Sequence, residues 1–143
     1  MTLKSILKYK PAGFISVAPD ARVSEVVAIL ADRHIGAVLV TDNGKLVGIL
    51  SERDVVRCLA ERGVAALEVD AASLMTSNPK TATPDISVEQ AMGMMTDGRF
   101  RHLPIIENGK LTGLVSIGDV VKAMIEQSQQ EVENLRTYVT GTA

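Results

Sequence analysis

The chain has 143 residues, an apolar fraction of 46% and a formal net charge of −2. This length accommodates one compact domain or two small halves that share a core, and the apolar content argues against general disorder. The near-neutral charge and the lack of a long basic run disfavour non-specific nucleic-acid binding. A single cysteine, Cys58, excludes an internal disulfide and a cysteine metal cluster.

Targeting and catalytic motifs are missing from the sequence. The first ten residues are too short and too charged for a signal peptide, and no apolar stretch approaches the ~18 residues of a membrane span. A phosphate-binding P-loop, a nucleophile elbow and paired His/carboxylate metal spacing are also lacking. We therefore expect a soluble, cytoplasmic protein that is not an enzyme, holds no metal and binds neither membrane nor nucleic acid.

The first predicted elements are a short helix within residues 1–10 and a strand at residues 14–17. Apolar side chains then recur with helical spacing from Val23 to Ala31. Ser24 lies close to the start of this helix, where a short polar side chain favours capping. The sequence thus predicts a strand followed by an amphipathic helix.

A hairpin and a second helix follow. The apolar runs at residues 37–41 and 46–51 flank Asn43 and Gly44, which both accept the positive φ of a two-residue hairpin turn. The next helix is predicted to begin after Ser51. The complete order of elements is β-α-β-β-α.

The second half of the chain repeats the first. Residues 16–57 and 81–122 align without a gap and share, among others, the Pro-Asp turn, the Asn-Gly-Lys-Leu hairpin and a Ser-x-x-Asp motif. An internal repeat fixes the unit of the fold. The elements predicted for the second copy are a strand at residues 80–83, a helix near Val88 with Ser87 at its start, strands at 103–106 and 111–116, and a longer helix from 119 to 138.

Two similar units that each leave an apolar face exposed will pack on each other about a pseudo-twofold axis. We predict an α/β (α+β) fold in which helices pack on the sheets, with equivalent clefts on either side of that axis. The predicted division is residues 1–70 for the first repeat with its N-terminal helix and connector. Residues 71–143 form the second repeat with a C-terminal helical extension, and a helical turn is expected near residues 71–75.

The motif Gly-h-h-Ser-x-x-Asp, where h is apolar, occurs at Gly48–Asp54 and again at Gly113–Asp119. Two β-α-β-β-α repeats with this motif resemble tandem cystathionine-β-synthase (CBS) domains, the Bateman module, over residues 5 to 128. The stretches SERD, RHLP and SIGD are similar to stand-alone bacterial and organellar CBS-pair proteins. The resemblance implies adenosyl ligands such as AMP, ADP, ATP, NAD or S-adenosylmethionine, with AMP or NAD foremost.

The repeated aspartates are candidates for reading ribose. A carboxylate accepts a hydrogen bond from each of two vicinal hydroxyls, and the start of a helix also suits phosphate. Asp54 and Asp119 each follow a serine by three residues, Ser51 and Ser116. The alternative is that both aspartates are ordinary helix-capping residues.

Arg101 and His102 resemble the basic pair that contacts phosphates in the nucleotide-sensing γ subunit of AMP-activated protein kinase. The first repeat has Gly36 and Ala37 at the aligned positions, so the two clefts are not equivalent. In the motif itself, Arg53 adds a cation where the second repeat has Gly118. We expect one site around Asp54 and Arg53 and another around Asp119, with Arg101 and His102 near a shared phosphate region. By analogy, the adenine slots take their walls from both repeats: Ile15, Ile35, Gly36 and Leu114 for the Asp119 site, and Lys80, Phe100 and Ile49 for the Asp54 site. A core role for each of these wall residues is the alternative.

These features predict a regulatory module that senses an adenine nucleotide and changes the geometry of its repeats or of a dimer. The alternative is a structural interaction module with vestigial clefts. The resemblance implies a homodimer in which the helices after Asp54 and Asp119 pack between modules. We expect His34 at the surface, Cys58 in packing rather than redox chemistry, and a solvated tail at residues 127–136. The apolar faces for the dimer are Val55, Val56 and Leu59, and Val120, Val121 and Met124, while Val132, Leu135 and Val139 of the tail are free to dock on a partner.

Overall fold

The computed structural model describes residues 1–9 and 13–140. Its elements confirm the predicted mixed α/β class, with the order β-α-β-β-α in the first repeat. The helices are α1 (Leu3–Tyr9), α2 (Val23–Arg33), α3 (Glu52–Arg62), a 3-10 helix (Gly63–Glu68), α4 (Ala71–Leu74), α5 (Val88–Gly98) and α6 (Ile117–Thr140). The strands are β1 (Ser16–Val17), β2 (Ala37–Asp42), β3 (Lys45–Ser51), β4 (Thr76–Ser77), β5 (His102–Glu107) and β6 (Lys110–Ser116).

Both predicted hairpins are present. In the first, Asn43 and Gly44 have φ values of 51° and 80°, and in the second Asn108 and Gly109 have 53° and 77°. Positive φ at both central residues is the type I′ geometry, whose twist matches that of the flanking strands. The turns therefore fix the antiparallel registers of β2 with β3 and of β5 with β6.

The first sheet has the strand order β1-β2-β3-β4, whereas the second contains β5 and β6. The prediction of a strand at residues 80–83 is wrong, because only a single parallel bridge from Ala82 to Ile105 forms there. In the first repeat, the N–H of Leu39 donates to the carbonyl oxygen of Ile15 at 3.0 Å. The residue aligned with Leu39 is Pro104, which has no N–H to donate. The ladder in the second repeat is shortened for this reason.

The capping prediction holds for one repeat and fails for the other. Ser87 is the N-cap of α5 and forms a capping box with Gln90. Ser24, by contrast, lies inside α2, whose N-cap is Arg22 without a side-chain cap hydrogen bond. Arg22 occupies the position aligned with Ser87. The first repeat therefore forms the helix without the side-chain hydrogen bond that caps it in the second repeat.

The two short connectors α1 and α4 each pack in the core of the repeat to which the sequence analysis did not assign them. Leu3 and Ile6 of α1 are buried in the core of the second repeat, against Val88 and Leu103. Ala71 of α4 is buried in the core of the first repeat. The predicted division at residues 70 and 71 stays a prediction, and the packing of both connectors crosses it.

The helical turn predicted near residues 71–75 is present as α4, and it is capped by Asp70. The carboxylate of Asp70 accepts hydrogen bonds from the N–H of Ser73 at 3.0 Å and from its Oγ at 2.5 Å. The bond from the Ser73 side chain is the main cause that holds the pKa of Asp70 below 3.8, followed by the bond from the Ser73 backbone. Because the folded pKa is depressed, this cap stabilises the fold at neutral pH and is lost as the pH falls below the carboxyl pKa.

The motif glycines are sites of close approach. A Cβ placed on Gly48 would lie 2.3 Å from Sδ and 2.8 Å from Cγ of Met75, and 3.0 Å from the carbonyl oxygen of Thr76. At the aligned Gly113, the nearest atom is Cδ2 of Leu7, at 3.1 Å. The first glycine lets Met75 and Thr76 lie close to β3, and the second lets Leu7 of α1 lie close to β6.

We expect Gly48→Ala to lower the free energy of unfolding by about 1–3 kcal/mol, because a new methyl group overlaps Met75 and has little room against the backbone of Thr76. Gly113→Ala is the matched control, since only the terminal methyl of Leu7 must move. Urea denaturation of both variants measures the difference. If both variants were destabilised equally, the close approach of Met75 and Thr76 would not be the reason that residue 48 must be glycine.

Candidate functional site

The Ser-x-x-Asp motif of the first repeat lies where β3 passes into α3. Oδ2 of Asp54 accepts hydrogen bonds from the N–H of Ser51 at 2.8 Å and from its Oγ at 3.0 Å. The N–H of Asp54 donates in return to Oγ of Ser51 at 3.4 Å. The pair forms a capping box that fixes the carboxylate at the N-terminus of α3.

The second repeat has the same geometry at the junction of β6 and α6. Oδ2 of Asp119 accepts from the N–H of Ser116 at 2.9 Å, and the N–H of Asp119 donates to Oγ of Ser116 at 3.1 Å. Both aspartates are half-buried. The sequence prediction that each aspartate meets its serine at a helix N-terminus is confirmed.

This geometry supports the alternative that both aspartates are helix-capping residues. It is also compatible with hydrogen bonding of the same carboxylates to ribose. The hydrogen bonds that cap both helices use Oδ2. Oδ1 of Asp54 takes no part in its capping box, so it can accept from a hydroxyl while the cap remains. A carboxylate held in this way is positioned in advance, which lowers the entropic cost of binding a ligand.

Two backbone hydrogen bonds close the motifs in the same way. The N–H of Glu52 donates to the carbonyl oxygen of Gly36 at 2.9 Å, and that of Ile117 donates to the carbonyl oxygen of Arg101 at 2.8 Å. The N–H groups of Arg53 and Gly118 are first-turn amides outside these bonds. Amides in the first turn of a helix, together with its dipole, favour an anion.

His102 lies between the two repeats. A Cβ on Gly36 would be 3.2 Å from Nε2 of His102 and 3.6 Å from Oε1 of Glu52. Gly36 was predicted as a wall of a cleft, and the structure places it against this imidazole. Glu52 was missed by the sequence reasoning, because only the fold brings residues 36, 52 and 102 together.

The predicted wall residues are distributed along the edges of the two cores. Ile15 and Ile35 pack against the first core. Phe100 packs against the second core, and its ring lies 2.4 Å from where a Cβ of Gly98 would be. The half-buried Ile49 and Leu114 occupy matching positions on β3 and β6. Lys80, Arg53 and Arg101 are exposed.

Asp119 also lines an open groove of about 740 Å³ between α1 and α6. Ser5, Tyr9 and Lys122 are among its other lining residues, and none of the predicted wall residues is. The sequence analysis did not predict this groove, because it assigned α1 to the first repeat. The structure brings α1 beside α6 because Leu3 and Ile6 are buried in the second core.

Cys58 and His34 lie where the sequence analysis expects them. Cys58 is a free thiol with 3% of its surface exposed, in agreement with a packing role. His34 is exposed and ends α2 in the left-handed conformation, with φ of 54°. Over residues 1–9 and 13–140, no group of three or more His, Cys, Asp or Glu side chains is placed to hold a metal ion. Within the same ranges, every helix is too short or too polar to cross a membrane.

The CBS domain family matches the chain at residues 4–61 and again at residues 71–126. The mitochondrial CBS domain-containing protein CBSX3 of Arabidopsis thaliana is 33% identical over 144 residues, which cover 97% of this chain and 70% of the relative. The crystal structure of the CBS-domain containing protein ATU1752 from Agrobacterium tumefaciens has a TM-score of 0.84 and 42% identity, covering 87% of this chain and 99% of that one. The CBS domain pair of protein MJ0100, in complex with 5-methylthioadenosine and S-adenosyl-L-methionine, has a TM-score of 0.78 and 25% identity over 89% of this chain and 98% of that one.

The chain therefore belongs to the CBS domain family and is a tandem CBS pair. The matches confirm the resemblance stated from the Gly-h-h-Ser-x-x-Asp motifs, including the likeness to stand-alone CBS-pair proteins. No catalytic family is indicated.

Proposed function

We propose that this CBS pair is a regulatory module that binds an adenine nucleotide between its repeats. The observation that supports this most directly is the duplicated Ser-x-x-Asp junction, which presents a fixed carboxylate and first-turn amides at two helix N-termini. The complex of the MJ0100 pair with two adenosine derivatives supports the adenosine class of ligand. The choice of AMP, NAD or ATP is part of the proposal.

In the proposed mechanism the ribose diol is bound by Asp119 or Asp54. The phosphates approach the amides of Arg53 and Gly118 and are neutralised by the Arg53, Arg101 and His102 side chains. The His102 imidazole lies close to Gly36 of the first repeat, so a phosphate bound by His102 would act at a point where the two repeats approach each other. Ligand binding shifts the angle between repeats only as far as its affinities for the two arrangements differ.

A thermal-shift panel with AMP, ADP, ATP, NAD, NADH and S-adenosylmethionine tests the proposal. A ligand present at one hundred times its Kd stabilises the folded state by about 2.7 kcal/mol. We expect a clear increase in Tm with at least one of these compounds and none with inosine monophosphate, the control that alters only the base. No increase with any adenosine compound would contradict the proposal.

The basic pair should distinguish phosphorylated ligands from adenosine itself. We expect Arg101→Ala to weaken binding of a phosphorylated ligand about tenfold, because a charge-assisted hydrogen bond is lost. Adenosine binding should remain unchanged. Isothermal titration calorimetry measures both affinities, and Arg62→Ala, which removes an exposed arginine from the last turn of α3, is the control. An equal loss for adenosine would show that Arg101 acts on the fold and not on phosphate.

The proposed working form is a homodimer in the cytoplasm that presents its surface to a regulated protein partner. Val56 and Val121, at aligned positions of α3 and α6, are 65% and 41% exposed, which leaves apolar area for a second copy. The mitochondrial Arabidopsis relative provides the alternative location, and cell fractionation separates the two.

The second candidate is a scaffold module whose clefts are vestigial. The capping boxes favour it, because they explain both serines and both aspartates without a ligand. It predicts that the nucleotide panel produces no stabilisation while the protein still dimerises.

A further inference from the structure

Helix α6 continues far beyond the module on which it begins. Val120 and Ala123, in its first two turns, are buried in the second core. From Ser128 to Val139 every residue is exposed. A helical segment of this length is only marginally stable in water when nothing packs against it. Contacts within the module therefore do not account for the stability of the second half of α6.

Four exposed apolar side chains of α6, Ile125, Val132, Leu135 and Val139, lie in one stripe along the helix. These four residues are separated by seven, three and four positions. With Ser128 included, the spacing alternates between three and four residues, which is the heptad spacing of a coiled coil. The exposed fractions are 53% for Ile125, 49% for Val132, 64% for Leu135 and 68% for Val139. Only Ser128 interrupts the stripe. With Ile125 at position a, the β-branched residues all occupy a and Leu135 occupies d, the distribution that favours two parallel strands.

We propose that residues 125–139 of two copies of this chain form a parallel two-stranded coiled coil. Charge complementarity supports a second copy as the occupant. In this register Glu131 occupies g and Arg136 the following e position, so each Glu131 faces the partner's Arg136 in a parallel pair. Side-chain hydrogen bonds from Gln127 to Glu131 at 3.4 Å and from Gln130 to Asn134 at 3.1 Å support the single helix.

This inference rests on the homodimer of the proposed function and deepens it. Fewer than three heptads are short for an independent coiled coil. Contact between the modules raises the effective concentration of one tail near the other, which compensates for the short length. A parallel coil also places both modules at its amino-terminal end. Asp119 lies in the first turn of α6. A ligand bound by Asp119 in one module therefore contacts the start of the helix that pairs with the other module.

Cysteine cross-linking of the full chain tests the orientation. We expect Val139→Cys alone and Ile125→Cys alone to form disulfide-linked dimers on mild oxidation, because identical a positions face each other in a parallel pair. The two sites are about 21 Å apart along the helix. An antiparallel pair would therefore cross-link only in a mixture of the two variants. The wild type, whose sole cysteine is 3% exposed, is one control, and Thr137→Cys on the outer face of the helix is the other.

The proposal would be overturned if disulfide-linked dimers formed only in the mixture of the two variants, or if they formed in neither single variant. Equally efficient cross-linking of the Thr137→Cys control would also overturn it. A second variant, Val132→Glu with Leu135→Glu, changes exposed residues and leaves both cores intact. We expect it to raise the dimer Kd about thirtyfold, since two apolar contacts per chain are lost. A dimer of unchanged affinity would also overturn the coil while leaving the module homodimer intact. The nucleotide panel on the same variant tests the ligand proposal separately.

Discussion

Replacing Asp119 by asparagine is expected to separate ribose binding from helix capping. The amide oxygen of asparagine still accepts the hydrogen bond from the N–H of Ser116, which Oδ2 of Asp119 accepts at 2.9 Å. The amide nitrogen is a donor and cannot accept from a ribose hydroxyl. We expect nucleotide affinity in that cleft to fall about 10- to 100-fold, because a hydrogen bond to a charged group contributes roughly 1.5–3 kcal/mol. The unfolding free energy should change by less than about 1 kcal/mol.

Isothermal titration calorimetry measures both the affinity and the number of sites per chain. Asp54→Asn makes the same change in the other cleft, and Asp97→Asn changes an exposed acid of α5 as the control. If both clefts bind ligand, each single variant keeps one intact site and the double variant loses both. Unaltered affinity in Asp119→Asn and in Asp54→Asn would leave these carboxylates as helix caps and contradict the ribose assignment.

The parts of the fold that were predictable depend on short-range chemistry that the repeat displays twice. Asn43-Gly44 and Asn108-Gly109 specify their turns through positive φ, so the hairpins and their registers followed from four residues. The Ser-x-x-Asp spacing predicted the two capped junctions in the same way. Such features are local, and each prediction is supported by the same residues at the aligned positions of the other repeat.

The errors arise where the copies have diverged or where distant segments meet. Pro104 has no N–H, and this one difference shortened the ladder that the strand prediction at residues 80–83 required. Ser24 is offset by two residues from the true N-cap position, which Arg22 occupies. The placement of α1 and α4 was not predictable, because it depends on contacts between distant segments, such as those of Leu3 with Ile86 and of Ala71 with Ala21.

The candidate site shows the same division. The serine and aspartate contacts of each motif lie within four residues and were anticipated. The proximity of His102 to Gly36 joins residues of different repeats that are 66 positions apart in the sequence. The sequence shows that the first repeat has the uncharged Gly36 at the position of Arg101 in the second repeat. The structure adds that a larger side chain at residue 36 would meet the imidazole.

Introducing charge at the predicted interface between modules should dissociate the dimer. Val56 and Val121 are exposed, branched and aligned, and a twofold dimer brings copies of each face together. We expect Val56→Glu with Val121→Glu to raise the dimer Kd at least ~100-fold, because burying like charges against each other costs several kcal/mol. Each isolated chain should stay folded, since neither valine belongs to a buried core.

Sedimentation velocity over a range of protein concentrations measures this effect. Val64→Glu is the matched control, because Val64 is 79% exposed but lies in the 3-10 helix and outside the predicted faces. A wild-type chain that sediments as a monomer at micromolar concentration would remove the dimer from the proposed mechanism. A double variant that remains a dimer would show that the modules do not meet through α3 and α6. If the engineered cysteine at residue 139 still cross-links in that variant, the coil alone holds the two chains together.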